Sequence, residues 1–174
     1  MANLRFEKVK VLHTLSKTSN SQFELSLVKW NNNEAKYDLR KWGDDGKKPY
    51  KGITFNKDEL LKIYNILKDA DNLSIDANIF KNINSNTIKA IIYKNLGEFK
   101  HSSKLKGYVT YTSWGGPAKI DIRCWDEDFK TCSKGVTLSE KERASLVQFL
   151  STEFNSKENN IDFDTSEIDD LLFL

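Results

Sequence analysis

Lys36-Tyr37-Asp38-Leu39-Arg40-Lys41-Trp42 is written a second time, 83 residues on, as Lys119-Ile120-Asp121-Ile122-Arg123-Cys124-Trp125. At the same offset Lys51-Gly52-Ile53-Thr54 returns as Lys134-Gly135-Val136-Thr137. Aligned without gaps, 36–67 and 119–150 share 11 of 32 positions, which marks a tandem duplication. In a strand, side chains alternate between faces. Lys36, Asp38, Arg40 and Trp42 then share one face, with Tyr37 and Leu39 on the other. In the second copy Lys119, Asp121, Arg123 and Trp125 lie opposite Ile120, Ile122 and Cys124. The apolar face suits a helix. The other face carries cations and an indole in a row.

Working outward, residues 22–30 alternate and read as a strand. Phe23, Leu25 and Leu27 face inward; Ser26, Val28 and Trp30 face outward, beside Trp42. Residues 4–15 form a looser strand. Asn31-Asn32-Asn33 and Asp44-Asp45-Gly46 are turn signals. Residues 49–55 are a strand and 57–69 a helix. Asn56 with Glu59, and Ser139 with Glu142, are capping boxes at equivalent positions. The second half runs from 87–94, reaching toward Lys100, through 105–114, where Tyr108, Thr110, Thr112 and Trp114 face outward. It ends on a helix whose apolar stripe is Leu146, Val147, Leu150 and Phe154. The expected class is α+β: two tandem ββββα units forming a pseudo-dimer with a shared core. Their bounds are 1–69 and 86–154, around an Asn- and Asp-rich connector at 70–85.

Composition narrows the function. The 174 residues carry 27 Lys and Arg against 25 Asp and Glu, a net +2. Residues 155–174 hold six acids and one lysine, so −5 sits in the tail and +7 in residues 1–154. A basic body with an acidic tail points toward nucleic acid. The tail ends Asp169-Asp170-Leu171-Leu172-Phe173-Leu174, an acidic-apolar pattern that suits docking to a partner protein. No apolar run is long enough for a membrane span, and the first residues do not read as a signal peptide. Two cysteines without metal spacing fit a reducing compartment, with no metal and no cofactor expected. His13 and His101, far in sequence from any Cys or acidic cluster, read as surface histidines. Lys and Arg neutralise phosphates, and an indole offers a base a stacking surface. That combination points to single-stranded nucleic acid bound with little sequence preference.

The doubled Asp-Leu/Ile-Arg followed by Trp, then Lys-Gly-Ile/Val-Thr and a helix, resembles the transcriptional coactivator family named positive cofactor four, and its small bacterial members most closely. The resemblance implies single-stranded DNA binding along the sheets and no enzymatic activity. It implies Lys36, Arg40, Trp42 and Lys51, with Lys119, Arg123, Trp125 and Lys134, as contacts. Trp30, Tyr108 and Trp114 join them from the outward faces of neighbouring strands. Two copies in one chain also resemble the plant Whirly proteins, although their Lys-Gly-Lys-Ala-Ala stretch is absent and a tetramer is not implied; whether copies assemble further stays open. The tail is similar to the acidic tip of bacterial and phage single-strand-binding proteins, which recruits replication and repair enzymes, except that Phe173 is penultimate and no Pro precedes it. The implied role is DNA replication, recombination or repair in the cytoplasm of a bacterium or a phage-infected cell. A transcription regulator acting on melted promoter DNA is the second reading. A nuclease using Asp38 and Asp121 is a remote third. Nothing signals 2′-hydroxyl readout, so RNA stays open as a substrate.

Overall fold

The computed structural model describes residues 4–158. Strands β1 (Phe6–Lys17), β2 (Ser21–Trp30), β3 (Lys36–Gly43) and β4 (Lys48–Phe55) form one antiparallel sheet in sequential order. Helix α1 (Lys57–Leu67) follows. A second antiparallel sheet orders β5 (Lys81–Asn84), β6 (Lys89–Lys100), β7 (Lys106–Ser113), β8 (Lys119–Trp125) and β9 (Val136–Leu138), and α2 (Glu140–Glu158) closes the described chain. The protein is therefore α+β, with sheets of four and five strands and two helices.

Local chemistry sets these elements. Asn31 and Asn32 adopt positive φ (51° and 64°) in the β2–β3 turn, and Asp44, Asp45 and Gly46 (52°, 51° and 83°) do so in the next, conformations that Asn, Asp and Gly tolerate best. Both capping boxes form. Asn56 Oδ1 accepts from Glu59 N at 2.8 Å, while Asn56 N donates to Glu59 Oε2 at 2.7 Å. Ser139 N donates to Glu142 Oε2 at 2.8 Å, and Ser139 Oγ accepts from Glu142 N at 3.2 Å.

Two boundaries depart from the sequence reading. The connector 70–85 contributes β5, giving the second sheet a fifth strand. Four residues are too few to display alternation, but Ile83 is buried against Ile92, Tyr108, Trp125 and Phe129. The second helix continues through Glu158, so residues 155–158 belong to it rather than to a tail. The docking residues Asp169, Asp170, Leu171, Leu172, Phe173 and Leu174 lie outside the described residues.

One apolar cluster draws on everything. Phe23, Leu25, Leu39 and Phe55 enter from the first sheet; Val109, Ile122 and Leu138 from the second; Leu60, Ile63 and Leu67 from α1; Leu146 and Leu150 from α2. Burying each such side chain contributes about 1.5–3 kcal/mol. Helix α1 packs on β6 and β7 as well as on β4, and α2 packs on β1 as well as on β8 and β9. Each half's helix thus covers the other half's sheet.

Polar clasps repeat that exchange. The α1 cap carboxylate Glu59 pairs with His101 Nδ1 at 2.8 Å, and the α2 cap carboxylate Glu142 accepts from Ser16 Oγ at 2.8 Å. His13 Nε2 lies 2.8 Å from Ser145 Oγ and its ring stacks on Phe149 at 4.8 Å; burial lowers its pKa. Both histidines bridge the halves instead of standing idle on the surface, a long-range role that sequence distance hides. Arg143, buried at the start of α2, donates Nη1 to the Leu67 carbonyl at the end of α1, 2.9 Å away.

Two measurements follow from this packing. Arg143→Ala strips a charged donor from a helix-terminal carbonyl and should lower the unfolding free energy by about 2 kcal/mol in equilibrium urea denaturation; an unchanged midpoint would contradict the clasp. Burial pushes the Cys124 thiol up to about 11, and raises Tyr37 and Tyr108, with Glu153 and Glu98 adding to those two respectively. Unfolding returns each acid to its lower ordinary value, so ionisation favours the unfolded chain. Thermal melts should be flat just below pH 9 and fall between about pH 9 and 11, where a flat profile would show these groups to be solvated.

Candidate functional site

The outer face of each sheet, turned away from the common core, carries the duplicated motif as a closed network. Asp38 is fully buried there. It accepts from Arg40 Nε at 2.8 Å, from Arg40 Nη2 at 3.1 Å and from Trp30 Nε1 at 3.0 Å. Asp121 repeats the arrangement with Arg123 Nε at 2.6 Å, Arg123 Nη2 at 2.8 Å and Trp114 Nε1 at 2.9 Å. Each guanidinium also lies over its indole: Arg40 is 4.7 Å from the Trp30 ring and Arg123 is 4.1 Å from that of Trp114. Burial pulls the Arg123 pKa down, but the hydrogen bonds and charge of Asp121, with Cys132, outweigh it and hold the group above its ordinary value. A buried carboxylate tolerates its site only when paired and hydrogen-bonded in this way. Neither aspartate is free to converge with another acid. Among the described residues, no group of three or more His, Cys, Asp or Glu is placed to hold a metal ion.

The network corrects several expectations. Trp42 and Trp125 are 0% and 1% exposed, so neither can stack on a base. Trp42 lies under Trp30, Phe6 and the Lys8 ammonium, which is 3.9 Å from its ring. Trp125 stacks on Trp114 at 6.0 Å and packs against Phe129. Tyr108 is buried in the same apolar cluster. The reason is common to all three: the outward faces are roofed, by β1 in the first sheet and by β5 with the 126–134 loop in the second. Arg40 and Arg123 are held by Asp38 and Asp121. Arg40 further donates Nη1 to the Tyr50 carbonyl at 2.6 Å.

Two equivalent grooves lie where β4 meets β9. The first, about 660 Å³, is lined by Trp30, Lys36, Arg40, Gly52 and Thr54, with Leu4, Asn33 and Glu34 at one side and Lys134 from the other half. The second, about 520 Å³, is lined by Trp114, Arg123, Gly135, Val136 and Thr137, with Lys41, Tyr50 and Lys51 from the other half. Trp, Arg, Gly and Thr of one copy thus meet the Lys of the opposite copy, and the duplication exchanges the two grooves. The glycines are required by close approach: a Cβ at Gly52 would lie 2.7 Å from Arg40 Cβ, and one at Gly135 2.5 Å from Arg123 Cβ. The Arg40 side chain, guanidinium carbon included, lies across bare backbone at Gly52, and the Ile122 carbonyl and the base of the Arg123 side chain crowd Gly135, so Lys-Gly recurs.

The structure therefore brings together Trp30, Lys36, Arg40 and Lys134 in one groove, and Lys51, Trp114 and Arg123 in the other. Lys119 is exposed at the start of β8 but does not line the second groove. Among the described residues Lys36, Lys51, Lys119 and Lys134 have no ion-pair partner. Trp30 and Trp114 are half-buried. Sequence reasoning missed Lys41, Tyr50, Thr54 and Thr137. The recurrence of Thr two residues after Gly was visible, and its place beside the groove was not. Lys41 is visible only through the irregular pairing between Arg40 and Trp42.

No family model matches the chain. An uncharacterized protein of Treponema pallidum (strain Nichols) is 31% identical over 75 residues, which make up 42% of this chain and 85% of that relative. The relative is thus about as long as one copy of the repeat. No helix among the described residues is long and apolar enough to cross a membrane. On this identity and coverage, the chain belongs to the same family as the uncharacterized Treponema pallidum protein.

Proposed function

We propose that the chain binds single-stranded DNA with little sequence preference, in replication, recombination or repair, as a duplicated relative of the positive-cofactor-four type. On this reading the two copies form a pseudo-dimer comparable to one subunit of a Whirly assembly. The observation that carries it is the pair of equivalent grooves, each built from both halves and each edged by lysines that form no ion pair among the described residues. Free ammonium groups attract phosphates and release counterions whatever the base sequence. Grooves lying between sheet edges admit a single flexible strand more readily than a rigid duplex. The Asp-Arg-Trp networks act as scaffolding: they fix the groove walls and leave phosphate contact to lysine. The proposal assigns the chain no catalytic step, and it leaves the tail as a candidate contact for replication or repair proteins.

Two tests address this reading. Lys36→Ala, Lys51→Ala and Lys134→Ala combined should weaken binding to all single-strand sequences alike. The slope of log affinity against log salt should shrink by about 0.7 per lysine. Titrations of single strands, duplex and RNA at one salt should rank single-stranded DNA above duplex. Equal or tighter duplex binding would favour the promoter-directed reading, and an unchanged slope would move the interface elsewhere. Asp38→Ala or Asp121→Ala should lower stability by about 3–5 kcal/mol, because a buried guanidinium is left without its partner. Denaturant midpoints within error of the parent would show the network to be dispensable.

A further inference from the structure

The two grooves share a plan but not an equipment list. Tyr50 lines the second groove together with Lys41 and Lys51 and is 46% exposed. Its ring lies across Gly43, where a Cβ would come within 2.6 Å of Tyr50 Cζ. Arg40 holds its carbonyl, and Lys48 Nζ lies 5.8 Å from its ring. The ring is thus exposed and positioned before any ligand arrives. At the equivalent place the second copy has Ser133, which donates to the Lys134 carbonyl at 2.8 Å and accepts from Cys124 N at 3.0 Å. Gly43 is replaced by Asp126, whose carboxylate binds Lys130 N and the Thr131 backbone and hydroxyl. The loop folds on itself, and among the described residues the first groove receives no aromatic from the other half. It carries Glu34 instead.

Resting on the single-strand reading above, we propose that Tyr50 is the base-stacking platform of this protein. The second groove grips a base as well as phosphates, while the first holds phosphates alone. With Trp42 and Trp125 sealed and Arg40 and Arg123 lying over Trp30 and Trp114, Tyr50 takes the stacking role that the sequence suggests for tryptophan. Base stacking on an aromatic side chain corresponds to at least about fivefold in affinity.

The test compares the full-length parent with Tyr50→Ala and Tyr50→Phe on oligothymidylate and on an abasic strand of equal length, at one salt concentration. Melting curves of each variant confirm that the exposed position leaves the fold intact. Tyr50→Ala should bind oligothymidylate at least fivefold more weakly, with its salt slope unchanged, and should match the parent on the abasic strand. Tyr50→Phe should match the parent on both. Equal binding of oligothymidylate by parent and Tyr50→Ala would overturn the platform and leave the single-strand reading standing. An equal loss on both strands would also overturn it, by assigning Tyr50 to the backbone. A parent that binds neither strand would overturn both.

Discussion

Two buried carboxylates constrain everything on the outer faces of the sheets. Asp38 and Asp121 are essentially without solvent, and an unpaired charge there would cost several kcal/mol. Each is satisfied by the same three donors, two from an arginine and one from an indole. That requirement fixes the arginine across the neighbouring strand, forbids a side chain at Gly52 and Gly135, and orients Trp30 and Trp114 at the groove walls. The recurring Lys-Asp-Arg-Trp and Lys-Gly-Thr patterns are therefore one device. Its products are a fixed wall and a lysine at the rim that forms no ion pair among the described residues.

The second constraint is mutual coverage of the halves. A helix placed on its own sheet alone would leave the first strand of the opposite half bare. Here α1 reaches β6 and α2 reaches β1, and each capping glutamate is bound from across the boundary by His101 or Ser16. One core results, and both grooves exist only because the halves meet. Duplication leaves the copies free to diverge, as Tyr50 against Ser133 and Gly43 against Asp126 illustrate.

Much of the fold could be read from the sequence because duplication doubles each local signal. The strand faces around Asp38 and Asp121, the Asn and Asp turns, and both capping boxes depend on neighbours in sequence. What escaped depends on distant partners. Strand β5 is held by Ile83 reaching a cluster on other strands, and alternation cannot reveal that in four residues. Trp42 and Trp125 share a face with exposed lysines, so alternation reads them as accessible. They are buried because Phe6, Lys8 and Phe129 arrive from elsewhere to roof them. The Arg residues lie on the expected face, and each is paired there with a buried Asp. Of the expected site, Lys36, Lys51, Lys134 and the half-buried Trp30 and Trp114 line the grooves, Lys119 does not, and Tyr50 is gained from the opposite half.

The central claim is that nucleic acid lies in the grooves between β4 and β9. Lysine acetylation footprinting of the full chain, with and without saturating single-stranded DNA, tests it most directly. Lys36, Lys51 and Lys134 should be protected, while Lys62 on α1 and Lys68 at its C-cap should react at the same rate in both states. Protection confined to the helices, or no protection at the groove lysines, would contradict the account.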